Sequence, residues 1–152
     1  MTAKEYFTCR RDQIELDFAA DLEKRLAQIN AGPEDDDKKK SLRDWHTQDL
    51  KMQKEMGLQR VGADEKDRQA NLPKIEAGSW VTIHWLIPFR QDGARKQRAA
   101  TISGEVQSVQ LDRAQVTFVC NSRPDDEEIK LHKIEKDSLV EAPLDCVTSV
   151  SL

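Results

Sequence analysis

Residues 80–87 read WVTIHWLI, and the alternation of side chains along this stretch decides the fold of the second half of the chain. One set of alternating positions is wholly apolar and predicts the buried face of a strand: Val81, Ile83, Trp85 and Ile87. The opposite face carries Trp80, Thr82, His84 and Leu86, and His84 is expected there as a half-exposed side chain. Before Gly78 the apolar residues recur with a period close to 3.6, so the chain changes near residue 78 from helix to sheet.

Further strands follow along the chain. The second is predicted from Arg98 to Gln110, with Gly104 where the backbone coils tightly and a bulge or bend where the apolar positions change register after Val106. The later strands are predicted around residues 116–120, 129–131 and 139–142, with a turn at 134–138 before the last. Such a row of short strands predicts a small β-barrel.

Two helices are predicted before the sheet. Residues 3–30 carry apolar side chains on one stripe, and Gly32 and Pro33 end this helix. The second helix starts in the acidic run 34–37 and is expected to end at Gly57. Its apolar face is Leu42, Trp45, Met52 and Met56, with Asp49 at the missing position. The short loop between the helices predicts an antiparallel hairpin.

The predicted fold class is therefore α+β: an N-terminal antiparallel helical hairpin followed by a small five-stranded SH3-like β-barrel. The domain boundaries are residues 1–57 for the hairpin, 58–77 for a polar linker that contains at most a short helix, and 78–152 for the barrel. The hairpin has only a narrow apolar seam, so its outer side is expected to pack on the barrel, on a second copy or on another protein.

Part of the barrel sequence resembles a known family. Residues 102–118 read ISGEVQSVQLDRAQVTF, which is similar to the Gly-x-Val, turn, x-Val-x-Phe pattern of SH3-like barrels of the Tudor and KOW type. Residues 78–83 and 134–141 resemble the first and last strands of such barrels. The resemblance implies binding of peptides, sometimes methylated, for Tudor-like barrels, and of RNA or of transcription and translation proteins for KOW-type barrels.

A methyl-lysine cage is not favoured by the aromatic residues. Such a cage needs several rings around one cation. Trp85 and Phe118 fall on faces expected to be inward, which leaves Trp80 and Phe89 outside the core.

Composition limits the class of protein. The 152 residues carry 24 Lys and Arg against 28 Asp and Glu, a net charge of −4, and neither half has a basic excess. Binding of nucleic acid by bulk charge is thus disfavoured. No apolar run spans a bilayer, the N-terminus lacks the core of a secretory signal, and three widely spaced cysteines argue against a disulfide framework. A cytoplasmic protein with no membrane contact is expected.

The best functional lead in the sequence is the basic loop, residues 89–98. It holds four cations and one acid, Asp92. The predicted binding residues are Trp80, Phe89, Arg90, Arg95, Lys96 and Arg98. The cations suit phosphates or an acidic protein surface, with Trp80 or Phe89 stacking alongside, and the alternative is a solvated hairpin tip whose charges prevent aggregation.

Catalysis is not expected. Cys120 and His132 flank a loop and form the minimum for a thiolate nucleophile, but no orienting third residue is evident and Cys120 continues the apolar face of Val116 and Phe118. No metal-ligand spacing and no phosphate-binding glycine motif occurs, so no cofactor and no metal site is predicted.

The predicted function is that of a non-enzymatic protein-binding adaptor, or a regulatory or inhibitory module, acting through the hairpin and the barrel. A homodimer through the N-terminal helices is a further prediction. The alternative function is a small-barrel protein that binds RNA or DNA with the same basic loop.

Overall fold

The computed structural model describes residues 1–121 and 137–152, and for residues 85–91 and 94–100 it describes the backbone only. The described residues form two long helices and five strands: α1 (Ala3–Asn30), α2 (Asp36–Asn71), β1 (Trp80–Gln91), β2 (Ala94–Gln110), β3 (Gln115–Cys120), β4 (Leu139–Pro143) and β5 (Val147–Ser151). All strand pairs are antiparallel, so the α+β class is confirmed. The chain divides into two compact units, Phe7–Ala63 and the combination of Met1–Tyr6 with Asp64–Leu152.

Both helices begin at residues that cap their free N–H groups. The Thr2 hydroxyl accepts a hydrogen bond from the Glu5 amide at 3.2 Å, and the Glu5 carboxylate accepts one from the Thr2 amide at 3.1 Å. This reciprocal pair is a capping box. At the start of α2, the Asp35 carboxylate accepts from the Lys38 amide at 2.8 Å. The bounds of α1 agree with those predicted from its stripe.

The unit Phe7–Ala63 is an antiparallel helical hairpin, as predicted. Lys54 Nζ lies 2.9 Å from the Glu15 carboxylate, far from the loop that joins the helices. Arg25 donates to Nδ1 of His46 at 2.9 Å, nearer the loop. From the first contact to the second, the α1 position rises from 15 to 25 while the α2 position falls from 54 to 46. The two helices therefore run in opposite directions.

The sequence predicted that the second helix ends at Gly57. In the structure the helix continues through Gly57 and Gly62 to Asn71. A Cβ atom on Gly57 would lie 3.3 Å from Cδ1 of Ile14, so the glycine allows α1 to approach closely. That packing offsets the low helix propensity of glycine, a cost of about 1 kcal/mol. Residues 58–71 are therefore helix rather than linker, and the helix ends two residues before Pro73.

The strand order of the sheet is β4-β3-β2-β1-β5. β1 and β2 form a long hairpin that turns at Asp92 and Gly93, both with positive φ. The predicted bulge is confirmed, because the register of β2 against β3 shifts between Val106 and Ser108. At Gly104 a Cβ atom would overlap the carbonyl oxygen of Val119, so only glycine allows this close approach of β3.

The end of the chain differs from the prediction. β4 lies where the last strand was expected, but a 3-10 turn at Leu144–Cys146 leads into β5, which the sequence reasoning missed. β5 pairs with β1 at the opposite edge of the sheet from β4. The predicted strand at 129–131 and most of the predicted turn at 134–138 lie outside the described residues. Within the described strands the sheet is open, so a closed barrel is not confirmed.

The core of the sheet unit comes from the alternating faces of the strands. Val81 and Ile83 are buried as predicted, and so are Val116, Phe118 and Cys120. Among the residues whose side chains the structure describes, the buried cluster consists of Ile75, Val81, Ile83, Ile102, Val106, Val116, Phe118, Cys120, Val140, Ala142, Val147 and Val150. Every member of this cluster is an apolar residue or a cysteine, so its described part contains no charge.

Candidate functional site

A row of large apolar side chains on α2 is exposed. Trp45 is 62% exposed, Met52 61% and Met56 59%. At 3.6 residues per turn the three positions fall within an arc of about 40° and extend about 16 Å along the helix. We call Trp45, Asp49, Met52 and Met56 the α2 face. Exposed large apolar residues that are contiguous, rather than scattered, mark surfaces that bind other molecules.

The outward direction of the α2 face contradicts the expectation that these residues form a seam with α1. A different set of α2 side chains contacts α1: Leu50 is 5% exposed, and Gly57 packs against Ile14. His46 and Lys54 bond to α1 on the same side as Leu50. Since one side of a helix can face only one neighbour, the contacts of Leu50, Gly57, His46 and Lys54 turn Trp45, Met52 and Met56 away.

A carboxylate interrupts the α2 face between Trp45 and Met52. Asp49 is half-buried, and its Oδ2 accepts a hydrogen bond from Nε2 of Gln53 at 3.1 Å. Within the part of the chain that the structure describes, Asp49 has no ion-pair partner. The α2 face therefore combines three apolar side chains with one carboxylate that pairs with no cation among the described residues.

The hairpin also has an open groove between α1 and α2, with a volume of about 160 Å³. Ile14, Phe18 and Leu50 supply its apolar wall, and Lys54 crosses it with Nζ 4.8 Å from the centroid of the Phe18 ring. The same Lys54 pairs with Glu15. Lys54, the lysine that lines the groove, is thus already paired within the hairpin, so the groove is a weaker candidate than the α2 face.

The backbone gathers the predicted basic residues at one place. In the β1–β2 hairpin, Arg90 pairs with Arg95 and Phe89 with Lys96, directly before and after the turn at Asp92 and Gly93. Arg98 follows two residues further along β2. These register positions place the basic residues at the tip of a two-stranded hairpin.

Trp80 does not belong to that tip. It begins β1, opposite Glu105 of β2 and Ser151 of β5, and is 37% exposed. Arg90 lies ten positions further along the chain, which is about 33 Å along an extended strand. Stacking of Trp80 beside the basic residues is therefore not supported, whereas Phe89 lies within the hairpin tip by register.

His84 is buried rather than half-exposed as expected, with only 9% of its surface accessible. Its ring stacks on Tyr6 with the centroids 4.0 Å apart and an angle of 19° between the planes. Its Nδ1 lies 2.9 Å from the hydroxyl oxygen of Thr148 on β5. The sequence pattern showed the face of the strand correctly but gave no sign that Tyr6 would cover it.

The residues considered for catalysis are not brought into a described site. Cys120 is fully buried in the sheet core, and His132 lies outside the described residues. No group of three or more His, Cys, Asp or Glu side chains suited to a metal ion occurs among the described residues. Nor does any helix in the described ranges have the length and apolar character needed to cross a bilayer.

Comparison of the chain with protein-family models and with curated proteins found no match.

Proposed function

We propose that this protein is a non-enzymatic protein-binding module, an adaptor or a regulatory or inhibitory subunit, that docks on its partner through the α2 face. The observation that supports this function is the exposure of Trp45, Met52 and Met56 on one side of α2. Aromatic and methionine side chains are enriched in protein interfaces, and tryptophan is enriched among the few residues that carry most of the binding energy.

The spacing of the α2 face indicates the shape of its partner. Trp45, Asp49, Met52 and Met56 follow one another at intervals of four, three and four residues, which is the a/d repeat of helices that pack side by side. A partner helix lying along α2 would cover all three apolar side chains at once. Docking of this kind needs no catalytic group.

Site-specific photo-crosslinking in native extract tests this function. Met52→p-benzoylphenylalanine is expected to yield a crosslinked band of higher mass, and the added changes Trp45→Ser and Met56→Ser are expected to remove it. Leu16→p-benzoylphenylalanine is the matched control, because Leu16 is 65% exposed but lies on α1. The same crosslinks at positions 16 and 52, or none at position 52, would contradict the proposed role of the α2 face.

A homodimer through the hairpin is a related prediction, and the chemistry of the α2 face argues against it. A parallel pair of α2 helices sets Asp49 beside the Asp49 of a second copy, and an antiparallel pair centred on the α2 face sets it against Met52. Both arrangements bury the Asp49 carboxylate with only the neutral donor of Gln53 and no cation beside it, which is unfavourable. We expect sedimentation equilibrium to give the monomer mass of 17.4 kDa at micromolar concentrations.

A second candidate function is binding of RNA or DNA by the β1–β2 hairpin tip. The observation in its favour is the register that sets Arg90 opposite Arg95 and Phe89 opposite Lys96. Cations there would contact phosphates while an aromatic ring stacks on a base.

Salt dependence separates the two functions. If the hairpin tip binds phosphates, affinity for a labelled single-stranded RNA or DNA falls steeply as salt rises, and combined Arg95→Glu, Lys96→Glu and Arg98→Glu changes abolish it. If the α2 face alone is functional, the nucleic acid does not bind at physiological salt, and nuclease treatment leaves the crosslink at position 52 unchanged.

A further inference from the structure

Asp49 lies in the middle of the α2 face, so this face indicates the charge of its partner as well as the partner's apolar character. Asp49 follows Trp45 by one helical turn and precedes Met52 by three residues, so any body that covers both apolar side chains also covers the carboxylate. Gln53 supplies one neutral donor to Oδ2 at 3.1 Å and leaves the negative charge in place.

Loss of water around an ionised carboxylate is strongly unfavourable unless a donor replaces the water. The residues three and four positions from Asp49 along α2 are Trp45, His46, Met52 and Gln53. His46 Nδ1 contacts Arg25 of α1 at 2.9 Å rather than Asp49. No lysine or arginine of α2 therefore lies at these helical spacings from Asp49.

We infer that the partner of the α2 face is an amphipathic α-helix that presents an arginine or a lysine opposite Asp49. This inference rests on the proposed protein-binding function and gives it a specific partner chemistry. The apolar side chains of the partner helix cover Trp45, Met52 and Met56, and its basic residue pairs with the Asp49 carboxylate. The ion pair selects the register, because a shift by one turn sets the cation against an apolar side chain.

The design of a probe follows from this geometry. Three synthetic peptides of about three heptads carry leucine at every a and d position except the central one, which is Arg, Gln or Glu. Each peptide is labelled with fluorescein, and its binding to the full chain is measured by fluorescence anisotropy below the concentration at which the peptide self-associates. The protein variants are Asp49→Lys and, as a control of equal charge change, Asp44→Lys on another side of α2.

The wild-type protein is expected to bind the Arg peptide at least about 10-fold more tightly than the Glu peptide, because like charges are strongly disfavoured when they are buried together. Asp49→Lys is expected to reverse this preference, whereas Asp44→Lys leaves its order unchanged. Circular dichroism of each variant shows whether α1 and α2 remain folded, and the Gln peptide reports affinity without the ion pair.

The remaining outcomes overturn the inference in distinguishable ways. Equal binding of the Arg and Glu peptides, or a preference that Asp49→Lys does not reverse, removes the basic residue from the partner. If no peptide binds but Met52→p-benzoylphenylalanine still crosslinks to a protein, the proposed function stands and the partner chemistry is wrong. If neither peptide binding nor crosslinking occurs, both proposals fail. A doubled mass in sedimentation makes a second copy the occupant and also overturns the inference.

Discussion

His84 and Thr148 are joined by a hydrogen bond across the strands β1 and β5, with Nδ1 of His84 2.9 Å from Oγ1 of Thr148. The Thr148 hydroxyl has a single hydrogen, which it donates to the carbonyl oxygen of Thr82 at 3.1 Å. With that hydrogen donated to Thr82, the role left for the hydroxyl toward His84 is that of acceptor, and this pattern assigns a hydrogen to Nδ1 of the ring.

The first prediction concerns this tautomer. Long-range ¹H–¹⁵N correlation spectra recorded with the His84 imidazole neutral are expected to show the ring hydrogen on Nδ1. Thr148→Val is expected to lower the free energy of unfolding by about 1–3 kcal/mol, because Nδ1–H loses its acceptor. Thr148→Ser keeps the hydroxyl and should restore most of the loss. A spectrum with the hydrogen on Nε2 would contradict the assignment.

The second prediction compares two glycines. Gly104→Ala is expected to destabilise the sheet unit by about 3 kcal/mol or more, because its Cβ atom overlaps the backbone of β3 at Val119. Gly62→Ala is the control: beyond its chain neighbours and the adjacent helix backbone, the added Cβ meets no atom within 4 Å, and alanine favours the helix by about 1 kcal/mol. Thermal melts that shift in the same direction for both variants would argue against the close approach at Gly104.

The third prediction tests which side of α2 faces α1. Leu50→Ala is expected to cost about 2–5 kcal/mol, since Leu50 is 5% exposed. Met52→Ala, two residues further on, is expected to change stability by less than about 0.5 kcal/mol because its side chain is 61% exposed. Urea unfolding followed by circular dichroism measures both, and a larger loss for Met52→Ala would mean that the Met52 side of α2, rather than the Leu50 side, packs on α1.

The fourth prediction concerns the edge strand β5. Arg68 donates from Nε to the carbonyl of Val147 and from Nη2 to that of Leu144, and Asn71 donates to the carbonyl of Val150 at 3.2 Å. Combined Arg68→Ala and Asn71→Ala changes leave these carbonyls without those donors, at a cost of about 1–3 kcal/mol.

Hydrogen exchange measures this effect locally. The amides of β5 are expected to exchange faster in the double variant, while those of β3 in the centre of the sheet change little. Gln69→Ala, an exposed neighbour on α2, is the matched control. Uniformly faster exchange across the whole sheet would show that Arg68 and Asn71 support the entire unit rather than its edge.

Much of the fold was predictable because helix and strand periods are local. The bounds of α1 follow from the apolar stripe over residues 3–30 and from Gly32 and Pro33 after its last residue. The start of β1 and the bulge after Val106 also follow from side-chain order. β5 was missed because its five residues are short, and its pairing with β1 depends on contacts about seventy positions apart.

The candidate site was less accessible to sequence reasoning. The spacing of Trp45, Met52 and Met56 showed that these residues share a side of α2, but a stripe does not say which neighbour covers it. In the structure, the close approach at Gly57 and the burial of Leu50 show that a different side of α2 contacts α1. The register of β1 and β2 likewise separated Trp80 from the basic residues that the sequence had grouped with it.

By itself, then, the sequence determined the α+β class, the antiparallel hairpin and the alternation that buries Val81 and Ile83, since each depends on residues a few positions apart. Only the tertiary structure decided that α2 extends through Gly57, that His84 is buried under Tyr6 and that the α2 face points outward. The physical reason is that packing energy comes from pairs of residues distant along the chain, and this energy outweighs local propensities of about 1 kcal/mol.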